Sequence, residues 1–302
     1  MNAIEAMQAE IEYQLEDLPG QKLPFKDRKC LFVGSGDSYI AGLAAQHVSG
    51  GRALCCYPID IIQNPSIASG RNVYFVSISG STRANIVAAK IAKRQGTRAT
   101  AITARPTSPL AGACDRTIKL KYRSTGINTA GTISFTSSML TCILLASKFQ
   151  LPDLTKVFRQ AEKQAERKAG EIDSKGCYFL LGNGVLHPVA IYGALKFNEV
   201  FGAKAVPYEA EEFCHSPLFS AKKNDQIIVM GNDGRLLNNR LVQEGFSSVH
   251  VDFKYEGVRL LLQSTFFIQL LVLMIAQRRK MTSCYFLKNR KLLGISSDFI
   301  YG

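Results

Sequence analysis

Short apolar runs that end in glycine- and serine-rich turns, each followed by a helical pattern, constrain the fold of this chain more than any other feature. The run Lys29–Val33 ends in the turn Gly34–Ser38, and the run 73–78 ends in the turn 79–82. Short continuous apolar runs bounded by turn residues are typical of strands buried on both faces. Their alternation with helices predicts parallel βαβ units, so the predicted fold class is α/β with doubly wound, flavodoxin-like parallel sheets.

The same order of elements restarts in the second half of the chain, after a charged helical segment at 152–174. The run 177–181 leads into the turn 182–184 and a helix, and the run 226–230 ends in a second polar turn. A length of 302 residues suits two domains of about 150 residues each. We therefore predict two tandem α/β domains.

The predicted boundary between these domains lies at the end of the charged segment. The first domain covers residues 1–165 and carries the hydroxyl-rich loops. The second covers residues 166–302 and carries the helix that follows the turn 182–184 and the C-terminal tail.

The charge and cysteine content narrow the classes of partner. The formal net charge of +13 favours anionic partners, among them nucleic acids, acidic lipids and phosphorylated metabolites. The basic residues are scattered and accompany no nucleic-acid-binding motif, so no nucleic acid is expected. The eight cysteines contain no CxxC pair, so neither a metal nor a cofactor is predicted.

Two apolar segments bear on localisation. Residues 1–20 mix acidic and apolar positions and do not resemble a signal peptide, so a reducing cytoplasm is expected. The run Leu260–Ala276 contains four polar side chains and is shorter than the ~20 apolar residues of a membrane span. We predict a buried core helix there and no membrane association.

Three hydroxyl-rich loops in the first half are the candidate ligand-binding elements. They are Gly34–Ser38, Ser77–Thr82 and Ser124–Thr132, and each falls between a strand-like and a helix-like segment. In parallel sheets ligands bind at the carboxyl ends of strands, and a helix N-terminus there attracts phosphate. Taken alone, Ser and Thr in such turns could equally be helix caps. Three such loops together suit a polyhydroxylated phosphate ester better than capping alone.

The chain resembles the sugar isomerase (SIS) family, in particular its tandem-domain isomerases of the glucosamine-6-phosphate synthase type. The residues that carry the resemblance are MQAEIEYQ at 7–14, GSGDSYIAG at 34–42, SISGSTRAN at 77–85, TAGTISFTSSML at 129–140 and YGALKFNEVFGAKAVPYEAEEFCHSPL at 192–218. The match follows the family's order over most of the chain. The most specific part is the LKxxE element followed by Glu-x-x-His-x-Pro.

The resemblance implies a set of substrate-binding residues in the first half. The phosphate of the sugar would be held by the loop that follows the second predicted strand, with the first loop beside it and the 129–132 turn lining the sugar. The residues implied are Gly36, Ser38, Ser77, Ser79, Thr82, Ala130 and Thr132.

The second half supplies the implied catalytic residues. Lys196 and Glu199 are three apart on a predicted helix and so share a face, although a surface ion pair would have the same spacing. Resemblance makes Glu199 the base of an aldose–ketose isomerisation and Lys196 its cationic neighbour. It makes His215 the ring-opening group, donated across a dimer interface. His215 could instead be structural, and Glu212 a support or an alternative base.

Some residues depart from the family pattern. Ile78 stands where glutamine is common, and Asp37 replaces a common threonine. A C-terminal lysine enters the sugar site in the family, but the tail around Lys288 and Lys291 does not match closely. No cysteine follows Met1 and there is no room for a glutaminase half, so glutamine-dependent synthesis is not expected of this chain alone.

The function predicted is that of a homodimeric isomerase or isomerising deaminase of a hexose or amino-sugar 6-phosphate. A non-catalytic module that binds a sugar phosphate would need only the phosphate loops, so Lys196, Glu199 and His215 favour the enzyme. A fructosamine-phosphate deglycase would use the same residues, and the sequence does not separate it from the isomerase.

Overall fold

The computed structural model describes residues 1–21, 29–172 and 176–302. Residues 22–24 of the turn that follows the first helix, and residues 173–174 of the charged segment, lie outside these described ranges. The strands are β1 (Cys30–Val33), β2 (Leu54–Cys56), β3 (Asn72–Val76), β4 (Ala99–Thr103), β5 (Arg116–Lys119), β6 (Tyr178–Gly182), β7 (Ala205–Tyr208), β8 (Gln226–Met230) and β9 (Ser247–Val251). The helices are α1 (Ala3–Asp17), α2 (Asp37–Val48), α3 (Pro58–Gln63), α4 (Arg83–Arg94), α5 (Pro109–Ala113), α6 (Ile133–Ala146), α7 (Leu154–Ala169), α8 (His187–Phe201), α9 (Ala210–His215), α10 (Arg235–Gln243), α11 (Gly257–Arg278), α12 (Tyr285–Lys288) and α13 (Arg290–Tyr301).

The first sheet is parallel throughout, with strand order β2-β1-β3-β4-β5. Its central strands are buried except at Asn72, the first residue of β3, because helices cover both faces, which is why they read as nearly continuous apolar runs. Side chains of β1 and β3, such as Leu31 and Phe75, pack against Ala88 and Ala92 of α4. The predicted α/β class and its parallel sheet are confirmed.

The second sheet is also parallel and has the order β7-β6-β8-β9. Its edge strand β7, like the edge strand β2 of the first sheet, is not predicted by the sequence pattern. β7 contains Pro207, and a proline that cannot donate to the ladder is confined to such edges. β2 has three residues, all half-buried, so it lacks the apolar run of a central strand.

The described chain divides into two compact units, and each consists of several segments. The first-sheet unit comprises Glu16–Arg123, Gly131–Gln150 and Arg290–Gly302. The second-sheet unit comprises Met1–Leu15, Ser124–Ala130 and Leu151–Asn289. The predicted tandem domains 1–165 and 166–302 stay a prediction, and the residues on either side of that boundary both lie within α7.

The apolar run near the C-terminus forms α11, a helix of 22 residues. By length and composition alone it could cross a membrane, but 78% of its most apolar stretch is buried inside the protein. It packs against α7 and α8 in the second-sheet unit. Its polar residues are satisfied internally, since Gln263 Nε2 donates to Gln164 Oε1 at 2.8 Å. The run is therefore a core helix, as predicted.

Candidate active site

Helix α8 carries two of the three predicted catalytic residues. It begins at His187, whose pKa is lowered by burial although Glu209 and the Gly182 carbonyl act in the opposite direction. The helix ends at Phe201, and the capping residue Gly202 has the left-handed conformation, with φ of 64°. A Cβ there would lie 2.6 Å from the Tyr285 ring, so glycine is required where α12 packs on the end of α8.

Lys196 and Glu199 form an ion pair on one face of α8. Lys196 Nζ lies 2.6 Å from Glu199 Oε2, and the lysine side chain is 1% exposed while the glutamate is 34% exposed. An isolated buried ammonium is strongly unfavourable, so its carboxylate partner is essential to it. The predicted alternative of a surface ion pair does not describe this geometry, because the lysine is in the core.

The ring of Tyr192 provides a second partner for this ammonium. Tyr192 is fully buried one turn before Lys196, and Nζ lies 5.1 Å from the ring centroid. A cation at that distance from an aromatic face is attracted by the ring quadrupole. Tyr192 is not among the residues predicted from the sequence, because a tyrosine on an apolar helix reads as ordinary core.

Cys284 is a further neighbour of the pair that the sequence does not indicate. Its thiol is fully buried, and Sγ lies 3.8 Å from Thr129 Oγ1. Burial raises the pKa of Cys284 and the charge of Glu199 adds to this, while the Ala130 backbone, the Thr129 hydroxyl and Lys196 lower it. Within the second-sheet unit, Cys284 is therefore a neighbour both of residues 129–130 of the predicted sugar-lining turn and of the Lys196–Glu199 ion pair.

The predicted phosphate loop connects β3 to α4 in the first-sheet unit. Ser77 Oγ lies 3.2 Å from Thr82 Oγ1 and accepts from the Gly80 N–H at 3.1 Å, while Ser79 Oγ accepts from the Ser81 N–H at 3.2 Å. Thr82 makes no side-chain capping bond to α4, so its hydroxyl belongs to the loop and not to the helix end. The first-turn N–H groups of a helix have no partner within it, which makes this loop suited to an anion.

Gly80 fixes the path of this loop. Its φ is 63°, a backbone angle that residues with a side chain rarely adopt. An added Cβ would also overlap the hydroxyl of Ser108. Ser108 is itself held in place, because its Oγ accepts from the Ala111 N–H as the cap of α5. Close packing of β3–α4 on β4–α5 thus leaves room only for glycine.

Within the first-sheet unit, the loop Gly34–Ser38 lies next to residues 131–132, the C-terminal end of the third hydroxyl-rich loop. Gly36 is exposed with φ of 55° and precedes α2, and Ser38 is half-buried in the first turn of that helix. A Cβ on Gly131 would lie 2.7 Å from Asp37 Oδ2, so the departure at Asp37 faces the predicted sugar-lining turn. Thr132 is fully buried, and its role in lining the sugar stays a prediction. The same role for Ala130, which is 1% exposed, also stays a prediction.

The structure does not bring His215 to the ion pair. His215 ends α9, its side chain is 71% exposed, and its described ion-pair contact is with Glu211 Oε1 at 4.0 Å on the same helix. Glu212 is exposed beside it. Lys288 and Lys291 are both exposed as well. Among the described residues, no group of three or more His, Cys, Asp or Glu side chains is placed to hold a metal ion.

Comparison with known proteins shows a SIS domain in the first part of the chain. The SIS domain family matches residues 25–148. The glutamine–fructose-6-phosphate aminotransferase (isomerizing) of Sulfolobus acidocaldarius is 26% identical over 231 residues, which is 71% of this chain and 39% of that protein. The chain thus spans about two fifths of the length of this curated relative.

Solved structures extend the similarity to nearly the whole chain. The C-terminal domain of the glucosamine-fructose-6-phosphate aminotransferase of Francisella tularensis has a TM-score of 0.68 and 20% identity, covering 93% of this chain and 95% of that one. The glucosamine-6-phosphate deaminase of Thermotoga maritima has a TM-score of 0.69 and 19% identity, covering 93% and 94%. The chain contains a SIS domain, is homologous to the isomerase domain of these aminotransferases and has the fold of phosphosugar isomerases. The resemblance read from the sequence is confirmed.

Proposed function

We propose that this protein is an isomerase or isomerising deaminase of a hexose or amino-sugar 6-phosphate. The observation that carries the proposal is the ion pair of buried Lys196 with partly exposed Glu199 on α8. A module that only binds its ligand has no need for a buried ammonium in the core, whereas a proton-transfer enzyme needs a carboxylate held in one position. The homology to the isomerase domain of the aminotransferases supports the same class.

In the proposed reaction, Glu199 moves a proton between C1 and C2 of the open-chain sugar. The carboxylate takes the proton from one carbon while the carbonyl oxygen gains a proton, which gives an enediol-type intermediate. The neighbouring hydroxyl then loses its proton to become the new carbonyl, and Glu199 gives the first proton to the other carbon. Lys196 holds the carboxylate by its 2.6 Å hydrogen bond and so limits its rotation. The partial exposure of Glu199 leaves it accessible to a substrate.

The Ser77–Thr82 loop is the proposed holder of the phosphate group. We expect glucosamine 6-phosphate to bind at least about tenfold more tightly than glucosamine, because hydrogen bonds to a charged group contribute roughly 1.5–3 kcal/mol. Titration calorimetry with the two compounds measures this ratio, with inorganic phosphate as the competitor. Equal affinity for the free amino sugar would contradict the assignment of the loop.

The reaction type is tested with the purified protein and four substrates. Glucosamine 6-phosphate, fructose 6-phosphate, mannose 6-phosphate and a fructosamine phosphate are incubated separately, and the aldose, the ketose and ammonia are followed. Ketose from an aldose substrate, or aldose from fructose 6-phosphate, without ammonia indicates simple isomerisation, and ammonia from the amino sugar indicates a deaminase. Turnover of the fructosamine phosphate alone indicates a deglycase.

Because His215 is exposed and lies away from the ion pair, two alternatives follow. Either the protein is a homodimer in which His215 acts on the partner's substrate, or it is a non-catalytic sugar-phosphate-binding module. We propose the homodimer, because the ion pair has no role in the module. Light scattering that shows a monomer at micromolar concentration would count against it.

Mixing two inactive variants tests the donation of His215. If each substrate needs Glu199 of one subunit and His215 of the other, co-expressed Glu199→Gln and His215→Asn chains should recover about a quarter of wild-type activity, because one site in each mixed dimer is intact. Each variant alone should stay inactive in the same assay. If both residues act within one chain, the mixture stays as inactive as its components.

A further inference from the structure

Three helices of the second-sheet unit share a chain of fully buried polar side chains. Gln14 on α1 donates from Nε2 to Gln269 Oε1 on α11 at 2.7 Å, and Gln269 Nε2 donates to the Tyr192 hydroxyl on α8 at 3.2 Å. All three side chains have a relative exposure of 0%. Buried amides are unfavourable unless they are hydrogen-bonded, so an arrangement like this fixes the groups it connects.

The chain of amides ends at the aromatic ring that lies next to the ammonium of Lys196. The Tyr192 hydroxyl is fixed by Gln269, and the ring centroid is 5.1 Å from Lys196 Nζ. Tyr192 and Lys196 are one helical turn apart, which brings their side chains to the same face of α8. The ring therefore cannot swing away or shift without breaking a buried hydrogen bond.

We propose that Tyr192 is a positioning residue for Lys196, with Gln269 and Gln14 fixing the tyrosine. The ring sets where the ammonium sits, and the ammonium sets where the Glu199 carboxylate sits. The proposal deepens the function proposed above and rests on it for the catalytic consequence. Its structural claim, that Tyr192 keeps Lys196 buried and in place, does not depend on which substrate is used.

Packing alone does not account for this arrangement. Hydrophobic side chains of the same size at positions 14 and 269 would fill the space without two amides to satisfy. Gln14 also carries a cost, since its Oε1 is buried without a hydrogen-bond partner among the described residues. What the amides add is a defined orientation, and the tyrosine that they orient is the one in contact with the candidate catalytic pair.

The test removes the ring and then only the hydroxyl, and reads out Lys196 directly. Wild type, Tyr192→Leu, Tyr192→Phe and the control Phe179→Leu are treated with an amine-acylating reagent, and modification at Lys196 is measured by mass spectrometry against the exposed Lys156. Phe179 is 5% exposed in the same unit and packs on Phe213, so its variant reports general loosening of the core.

Lys196 should be protected in the wild type and in Phe179→Leu, and its acylation should rise several-fold in Tyr192→Leu. Where the protein turns over a sugar phosphate, kcat of Tyr192→Leu should fall by roughly 2- to 30-fold, the range expected for a cation–π contact, with KM little changed. Tyr192→Phe keeps the ring and should show a smaller rise in acylation.

Two results would overturn the proposal. The first is that Lys196 stays protected from acylation in Tyr192→Leu. If the leucine variant does not fold, the same result in Tyr192→Phe overturns the proposal. The other is acylation of Lys196 to the same extent in Phe179→Leu. Wild-type protein without turnover of any sugar phosphate would instead contradict the proposed function, and the labelling experiment would still decide whether Tyr192 places Lys196.

Discussion

Replacing Glu199 by glutamine should lower the turnover of the sugar phosphate by about 10²- to 10⁴-fold, the usual contribution of general acid–base catalysis. The amide keeps the shape of the side chain and can still accept from Lys196, but it cannot take up a proton from carbon. Affinity for the substrate should change by less than about tenfold, because the phosphate is assigned to the Ser77–Thr82 loop. A loss of kcat at constant affinity is the signature of an interaction made in the transition state.

The control for this variant is Glu166→Gln, which removes the same charge from an exposed position on α7 in the same unit. It should keep wild-type turnover. Thermal melting of both variants is needed, since Glu199→Gln leaves the buried ammonium of Lys196 without its counter-charge and should lower the melting temperature. Isomerisation that survives in a folded Glu199→Gln protein would show that the base lies elsewhere, with Glu212 the next candidate.

The central strands could be predicted from the sequence because they are buried on both faces. In β1, β3, β6 and β8 the burial is nearly continuous, so the apolar run and the turn that follows it are both visible. The edge strands β2 and β7 were not predicted, since their half-buried positions carry mixed residues. Strand β7 shows this, because Pro207 argues against a strand in isolation and is tolerated only where no partner needs its N–H.

The candidate site was predictable where the chemistry is local. The spacing of Lys196 and Glu199 placed them on one helical face, and the loop from Ser77 to Thr82 was placed at a helix N-terminus. The burial of Lys196 could not be read in this way, because it depends on helices brought together by the fold. Gln14 and Gln269 are 255 positions apart, and no local pattern indicates that they meet.

Gly80→Ala should abolish high-affinity binding of the sugar phosphate, with a loss of at least about tenfold in affinity and a lower melting temperature. Two effects act together at this position. A left-handed backbone costs an L-residue roughly 1–2 kcal/mol, and the new Cβ would overlap the Ser108 hydroxyl. The loop must shift to relieve the overlap, and the Ser77 and Thr82 hydroxyls shift with it. Calorimetry with glucosamine 6-phosphate measures the loss.

Gly96→Ala separates the overlap from the backbone cost. Gly96 has φ of 73°, close to the 63° of Gly80, but an added Cβ there meets nothing within 4 Å. Gly96→Ala should therefore lower the melting temperature only through the cost of the left-handed backbone, and the affinity for the sugar phosphate should stay unchanged. In the double variant Gly80→Ala with Ser108→Gly the overlapping hydroxyl is gone, and since glycine replaces a helix cap at a cost of only a few tenths of a kcal/mol, part of the affinity should return. If Gly80→Ala binds as the wild type does, or if Gly96→Ala loses binding equally, the phosphate is not held by this loop.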